Sequence, residues 1–181
     1  MRVICWDLET TGLGGNFGRI LCCSFKVASP DQANKPFTLR GDARPYRTRD
    51  IADDGKLAVA IRDVLEDYDV IVGHNSKLFD RKFLNARLLK HGHAIKRSQF
   101  HVDTMWIVRT HFRMSSKLLN VQKMLDLPDE KTDITWDNWA RAGAWDKAGM
   151  DEVVSHCEQD VRVLEQAYWK LLPAMRTLSR D

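Results

Sequence analysis

The chain of 181 residues predicts an α/β fold, a mixed five-stranded sheet with helices on its faces. Three observations predict it. The first residues form an apolar run suited to a central strand, Val3-Ile4-Cys5-Trp6. Two further strand-like runs follow it closely. Helical and strand-like patterns then alternate before the chain ends in a long helical stretch.

The elements follow in order. Val3 to Asp7 reads as a strand apolar on both faces. Gly12-Leu13-Gly14-Gly15-Asn16 is a turn. Arg19 to Ala28 and Pro36 to Arg40 are the next strands, and such short connections predict an antiparallel meander. Leu57, Ile61, Val64 and Leu65 recur at helical spacing, which places a helix over Lys56 to Asp67. Asp69 to Gly73 is a short apolar strand. A second helix spans Leu78 to His91, with Phe79, Phe83, Leu84, Leu88 and Leu89 as its apolar residues. Phe100 to Val102 is a fifth strand. Short helices cover Thr104 to Thr110, Lys117 to Leu125 and Trp136 to Ala142. The last helix runs from Asp151 to Leu172, and Pro173 predicts its end.

No repeat, low-complexity run or long Gly/Ser linker divides the chain, so residues 1–181 read as one domain. Hydrophobic residues are 44% and charged residues 29%, the balance of a soluble globular protein. No apolar run reaches the roughly 18 residues that cross a bilayer, and the first apolar run meets Asp7 too soon for a signal peptide. A cytoplasmic protein without a membrane partner is expected. Cys5, Cys22, Cys23 and Cys157 lack zinc-type spacing and read as buried reduced thiols.

Net charge is only +3, but its distribution is uneven. Between positions 77 and 117 lie ten Lys or Arg residues, including Arg87, Lys96, Arg97, Arg109, Arg113 and Lys117, against two acids, Asp80 and Asp103. Such a segment suits a polyanionic substrate; it reads equally as a solvated helix face. Arg109, Arg113 and Lys117 are the candidates for substrate affinity. Trp106, Trp136, Trp139, Trp145 and Trp169 fall mostly in helical segments, where core packing is the default. Trp136 or Trp139 could alternatively stack on a base.

Chemistry concentrates in three stretches. In the first, Asp7 and Glu9 follow the opening strand, and strand alternation points both to one side. Two carboxylates so placed repel unless a cation lies between them. In the second, "VGHNSKLFDRKFL" (72–84), a strand ends, a polar loop follows, and Asp80 opens a helix whose dipole favours an acid there. In the third, "SHCEQDVRVLEQ" (155–166), His156 and Asp160 share one helix face. Each alone also has a plain structural explanation: solvated acids, a helix-dipole acid, a surface His–Asp pair. Together they supply four carboxylates, enough to hold two hard divalent cations through oxygen. Two such ions roughly 4 Å apart activate a water and stabilise the leaving oxygen of a phosphodiester. A histidine can take the water's proton near neutral pH.

With "DLETTGL", "GHNSKLFD" and "HCEQDV" in that order, the sequence resembles the DEDD superfamily of DnaQ-like 3′–5′ exonucleases, on a ribonuclease-H-like fold. The closest flavour is the stand-alone or polymerase-B-like proofreading group. "SKLLNVQKMLDL" (116–127) resembles a helix often found between the second and third motifs. The resemblance implies that Asp7, Glu9, Asp80 and Asp160 bind two Mg2+ or Mn2+ ions. It implies that His156 orients or deprotonates the attacking water. It also implies that Thr10, Thr11, Gly12, Leu13 and Asn75 touch the 3′-terminal nucleotide. One branch of the family has Tyr with three intervening residues before the last Asp; the other has His with four. His156 has the histidine of one and the spacing of the other. Asp103 reads as a cap of the following helix, and His74 as a loop hydrogen-bonder.

The expected function is a metal-dependent exonuclease releasing mononucleotides from single-stranded 3′ ends, with DNA favoured over RNA. An RNA-directed or structure-selective nuclease on the same metals is a second reading. A catalytically silent nucleic-acid-binding module is a third, and the presence of all four acids argues against it.

Overall fold

A computed structural model describes residues 1–95, 99–130 and 132–178, with side chains to residue 175. Lys96 and Arg97 lie outside the described residues. Five strands form one sheet in the order β3-β2-β1-β4-β5: β1 (Val3–Thr10), β2 (Ile20–Val27), β3 (Phe37–Arg40), β4 (Val70–Gly73) and β5 (Phe100–Asp103). β1 pairs antiparallel with β2 and parallel with β4, so the predicted mixed sheet and its opening meander are both present. Among the described residues, the helices are α1 (Gly55–Glu66), α2 (Asp80–Lys90), α3 (Thr104–His111), α4 (Leu118–Met124), α5 (Trp136–Gly143) and α6 (Lys147–Leu178). None is long and apolar enough to cross a membrane.

The alternation of β1 divides the core. Ile4, Trp6 and Leu8 pack on one face with Leu57, Ile61, Leu84 and Leu88 of α1 and α2. Cys5 packs on the other with Val70, Val72 and Val102 and with Leu164 and Tyr168 of α6. Period two therefore sends Asp7 and Glu9 towards α6 as well.

Three expectations need correction. β1 does not stop at Asp7 but continues to Thr10, because Asp7, Glu9 and Thr10 pair through their backbones with Ser24, Cys22 and Ile20 of β2. Backbone pairing takes no account of side-chain charge. Pro173 does not end α6; the helix runs five residues past it. Leu172 and Met175 pack against the core on either side of the proline, and that burial offsets the backbone hydrogen bond it removes.

The third correction is Arg87, which belongs to no binding surface. It is fully buried, donating from Nε and Nη2 to Asp54 at 2.8–2.9 Å and from Nη1 to the Gly15 carbonyl at 3.1 Å. Asp54 also accepts the Ile20 N–H at 2.7 Å. Arg87 thus ties α2 to the turn after β1. Arg87→Ala leaves a buried carboxylate short of its main partner, so a loss of about 3–5 kcal/mol is expected. Thermal unfolding should show Tm lower by roughly 6–20 °C. A change within 1 °C would mean the pair does not hold the turn.

Candidate active site

The site forms where β1 runs past its parallel neighbour. β4 pairs only with Val3, Ile4 and Cys5, so the N–H of Leu8 has no strand partner on that side. The carboxylate of Asp80, the first residue of α2, accepts it at 3.1 Å. Gly73, just before, permits the tight loop between β4 and α2: a Cβ there would stand 2.0 Å from Ser76 Oγ. Asp80 is buried, and so is Glu9 on β1, while Asp7 is half-buried.

α6 crosses this end of the sheet. His156 Nε2 stands 3.9 Å from Glu9 Oε1 and 4.0 Å from Asp160 Oδ2. His156 Nδ1 lies 3.0 Å from Thr132 Oγ1, a contact between residues 24 apart that no local pattern predicts. One turn of α6 thus brings the third motif to the first, and α2 brings the second. Cys157, buried beside His156, donates its thiol to the main-chain oxygen of Asp7 at 3.4 Å and lies 3.5 Å from Asp7 Oδ2. Burial, and then the neighbouring Cys22, Asp7 and Glu9, push this thiol's pKa well up, so it remains protonated.

The donor set fits hard divalent cations. Burial, and secondly the charge of Asp7, raise the Asp80 pKa well above the ordinary carboxylate range. The backbone N–H groups of Asp80 and Leu8 offset part of that repulsion, and a cation between the oxygens would offset more. Asp7 and Glu9 can bring ligand oxygens within 4.8 Å of one another and of Cys157 Sγ. A thiol kept protonated is a poor ligand for a hard cation, so the carboxylates are the better donors of this group.

This strain has a pH signature. The folded state holds the Asp80 proton more tightly than the unfolded chain, so the contribution of Asp80 to metal-free stability is fully present at acid pH. It falls as pH rises from about 4 through the folded pKa. Asp80→Asn keeps an oxygen for Leu8 N–H and removes the charge. At neutral pH without metal, the variant should melt higher, by about 2–4 °C for each kcal/mol regained. Its Tm should also gain on that of wild type as pH rises from 4 to 8. A lower Tm at neutral pH would show that the charged form of Asp80 is stabilised by the fold itself.

The loop after β4 serves as scaffolding. Asp103 caps α3 by accepting Trp106 N–H at 3.1 Å, as expected, and also accepts the N–H groups of Asn75 and Lys77 at 3.0 and 2.9 Å. Asn75 adopts φ 65°, a conformation that asparagine tolerates. His74 bonds Thr104 Oγ1 and the Ser116 carbonyl, both at 2.8 Å, as a loop hydrogen-bonder should.

Next to the acids lies a cleft of about 580 Å3. Its lining includes Glu9, Thr10, Thr11, Gly12 and Leu13 from the end of β1 and the turn beyond it, and His156 from α6. Phe79 and the segment Asp133 to Trp136, with Trp139, complete it. Asn75, Arg109, Arg113 and Lys117 do not line it; the three cations are exposed elsewhere, with Lys117 next to Ser116 and so near His74. Core packing fails for two tryptophans, since Trp106 is 56% and Trp136 85% exposed. Trp139 donates Nε1–H to the Thr10 carbonyl at 2.9 Å and sets its ring edge against His156 at 6.3 Å. Its i, i+3 spacing from Trp136 was the only sequence signal for this wall.

A family model described as the RNase_H superfamily matches residues 4–172. No curated protein matches the chain. Among solved structures, the family B DNA polymerase from the hyperthermophilic archaeon Pyrobaculum calidifontis superposes with a TM-score of 0.73 at 20% identity. The match covers 96% of this chain but 25% of the polymerase, so the chain spans about a quarter of that protein's length. At this identity the likeness concerns the fold.

Proposed function

The chain belongs to the RNase H superfamily, and from that premise we propose that it is a metal-dependent 3′–5′ exonuclease, residues 1–181 acting as one catalytic domain. Its substrate is single-stranded nucleic acid, with DNA favoured, and its products are mononucleotides. The observation that carries this reading is convergence. Asp7 and Glu9 from β1, Asp80 from α2, and His156 and Asp160 from α6 meet at one end of the sheet, beside a cleft of nucleotide size.

Asp7, Glu9, Asp80 and Asp160 would hold two Mg2+ or Mn2+ ions. When bound, such ions lower the pKa of a water and neutralise charge on the phosphate and leaving oxygen. The chain's own residues do the rest. His156 accepts the water's proton at Nε2, the nitrogen that faces Glu9 and Asp160. Thr132 at Nδ1 and the Trp139 edge fix the plane of the imidazole. Thr10 to Leu13 form one wall for the terminal nucleotide, and Trp139 ties that wall to α5.

The test is cleavage of labelled single-stranded DNA and RNA with either end blocked. Mononucleotide release that a blocked 3′ end stops, and a blocked 5′ end does not, is the expected result. Release of internal fragments would replace this reading with an endonuclease. Arg109, Arg113 and Lys117 are proposed to guide the strand towards the cleft. Each substitution to Ala should weaken binding and lower the slope of log K against log salt by about 0.7, the value per single-strand phosphate contact. Unchanged slopes in all three variants would make these cations ordinary surface.

A further inference from the structure

Thr11 lines a second hollow as well as the cleft, a smaller one of about 70 Å3. Its wall is cationic. Arg19, Arg87 and Lys90 line it, and no acid is among the described residues that do. The larger cleft is the reverse, with Glu9 and Asp133 in its lining and no Lys or Arg among the described residues there.

The charges of the small hollow are only partly answered. Arg87 bonds Asp54, one negative charge against three positive ones. Arg19 is held in place from two directions: Nη2 donates to the Gly143 carbonyl, and the guanidinium lies over the Trp145 ring at 5.3 Å. Its Nε is buried and has no partner among the described residues. A buried donor without an acceptor is costly, so whatever fills the hollow should accept. Burial lowers the pKa of this guanidinium; Asp54 acts against that, and the charge of Arg87 lowers it further. The two guanidiniums therefore repel, and an anion between them would relieve it. Thr11 Oγ1 accepts the Arg19 N–H at 3.0 Å, which leaves the hydroxyl proton for another acceptor.

Lys90, in the last turn of α2, also answers the helix dipole, but Arg19 and Thr11 belong to no helix. A water would satisfy one donor and none of the charge. Donors from three separate residues, with surplus positive charge, suit an anion that offers several acceptor oxygens. The volume is room for a tetrahedral oxyanion and too little for a nucleoside.

We propose that this hollow is a phosphate site, separate from the acids, in which Arg19 Nε, Thr11 Oγ1 and the Lys90 ammonium donate to the phosphate oxygens. Arg87 supplies charge from behind, its own bonds going to Asp54, Gly15 and Ala52. Free inorganic phosphate and a backbone phosphate of a bound strand share this chemistry.

The experiment is calorimetric titration of the metal-free protein with inorganic phosphate at constant ionic strength. Wild type should bind one phosphate. Arg19→Lys keeps the charge and loses the Nε donor; Lys90→Gln removes a charge. Each should bind phosphate about tenfold more weakly, or worse, the loss expected for one charge-assisted hydrogen bond. Lys90 is exposed, so Lys90→Gln should keep the wild-type Tm, and its titration decides alone if Arg19→Lys fails to fold. Repeating the wild-type titration with a short single strand of DNA present identifies the source. If the strand excludes phosphate, the strand's own backbone fills the site; if phosphate binds as before, the occupant is the free anion. Absence of saturable binding by wild type, or wild-type affinity in either folded variant, overturns the site. The titration needs neither metal nor turnover, so it fails or succeeds independently of the exonuclease reading.

Discussion

Asp7→Asn should leave the protein folded and lower its cleavage rate by about 10³-fold or more. Asp7 lies on the central strand, yet its backbone pairs with Ser24 whatever its side chain carries. The side chain contributes charge to the site and no apolar packing. Its negative charge is a cause of the raised Asp80 pKa, so neutralising it relieves repulsion in the metal-free fold. Tm without metal should therefore match or exceed wild type. Metal ions in such sites supply several kcal/mol of charge stabilisation in the transition state, and each roughly 1.4 kcal/mol is tenfold in rate. Calorimetric titration with Mn2+ should show at least one ion fewer than in wild type. Turnover within tenfold of wild type, with both ions still bound, would remove Asp7 from the metal set.

His156→Ala is expected to cost about 10²–10⁴-fold in kcat while metal and nucleic acid still bind, the usual contribution of a general base. An imidazole must be neutral to accept a proton, so wild-type activity should rise with pH through one ionisation. That ionisation should be missing from His156→Ala. His156→Tyr places the tyrosine of one family branch at its own spacing and should keep part of the rate, again without that step. The position of His156 limits alternatives: Nε2 looks towards Glu9 and Asp160 at 3.9 and 4.0 Å, while Nδ1 meets Thr132. Wild-type rates and an unchanged pH profile in His156→Ala would make metal-activated water sufficient and His156 a neighbour of Asp160 on the helix face.

Much of the molecule was legible from local pattern. The apolar run of β1, the helical period in α1 and the short links between the first strands placed the sheet, and the structure has its elements in the expected order. The family drawn from three short motifs agrees with the superfamily match over residues 4–172. Asp103 as a cap and His74 as a loop hydrogen-bonder were both readable because a cap and a loop bond act over a few residues of neighbouring chain.

What failed depended on partners distant in sequence. The basic segment looked uniform, but Arg87 turned inward because Asp54, 33 residues earlier, and the Gly15 carbonyl offered it buried acceptors. The end of β1 and the passage of α6 through Pro173 were set by β2 and by the packed core, whose contacts outweigh local preference. The two tryptophans at 136 and 139 were alike in sequence and opposite in fate. Trp139 found the Thr10 carbonyl and the edge of His156, while its neighbour was left bare on the cleft wall. By itself the sequence determined the class of fold, the family and the residue types of the site, because hydrophobic period and motif order are properties of neighbouring positions along the chain. Only the tertiary structure decided which charges face solvent, which aromatic lines the cleft and which nitrogen of His156 faces the acids. Those depend on burial and on hydrogen-bond partners, which arise only when segments remote in the chain are packed together.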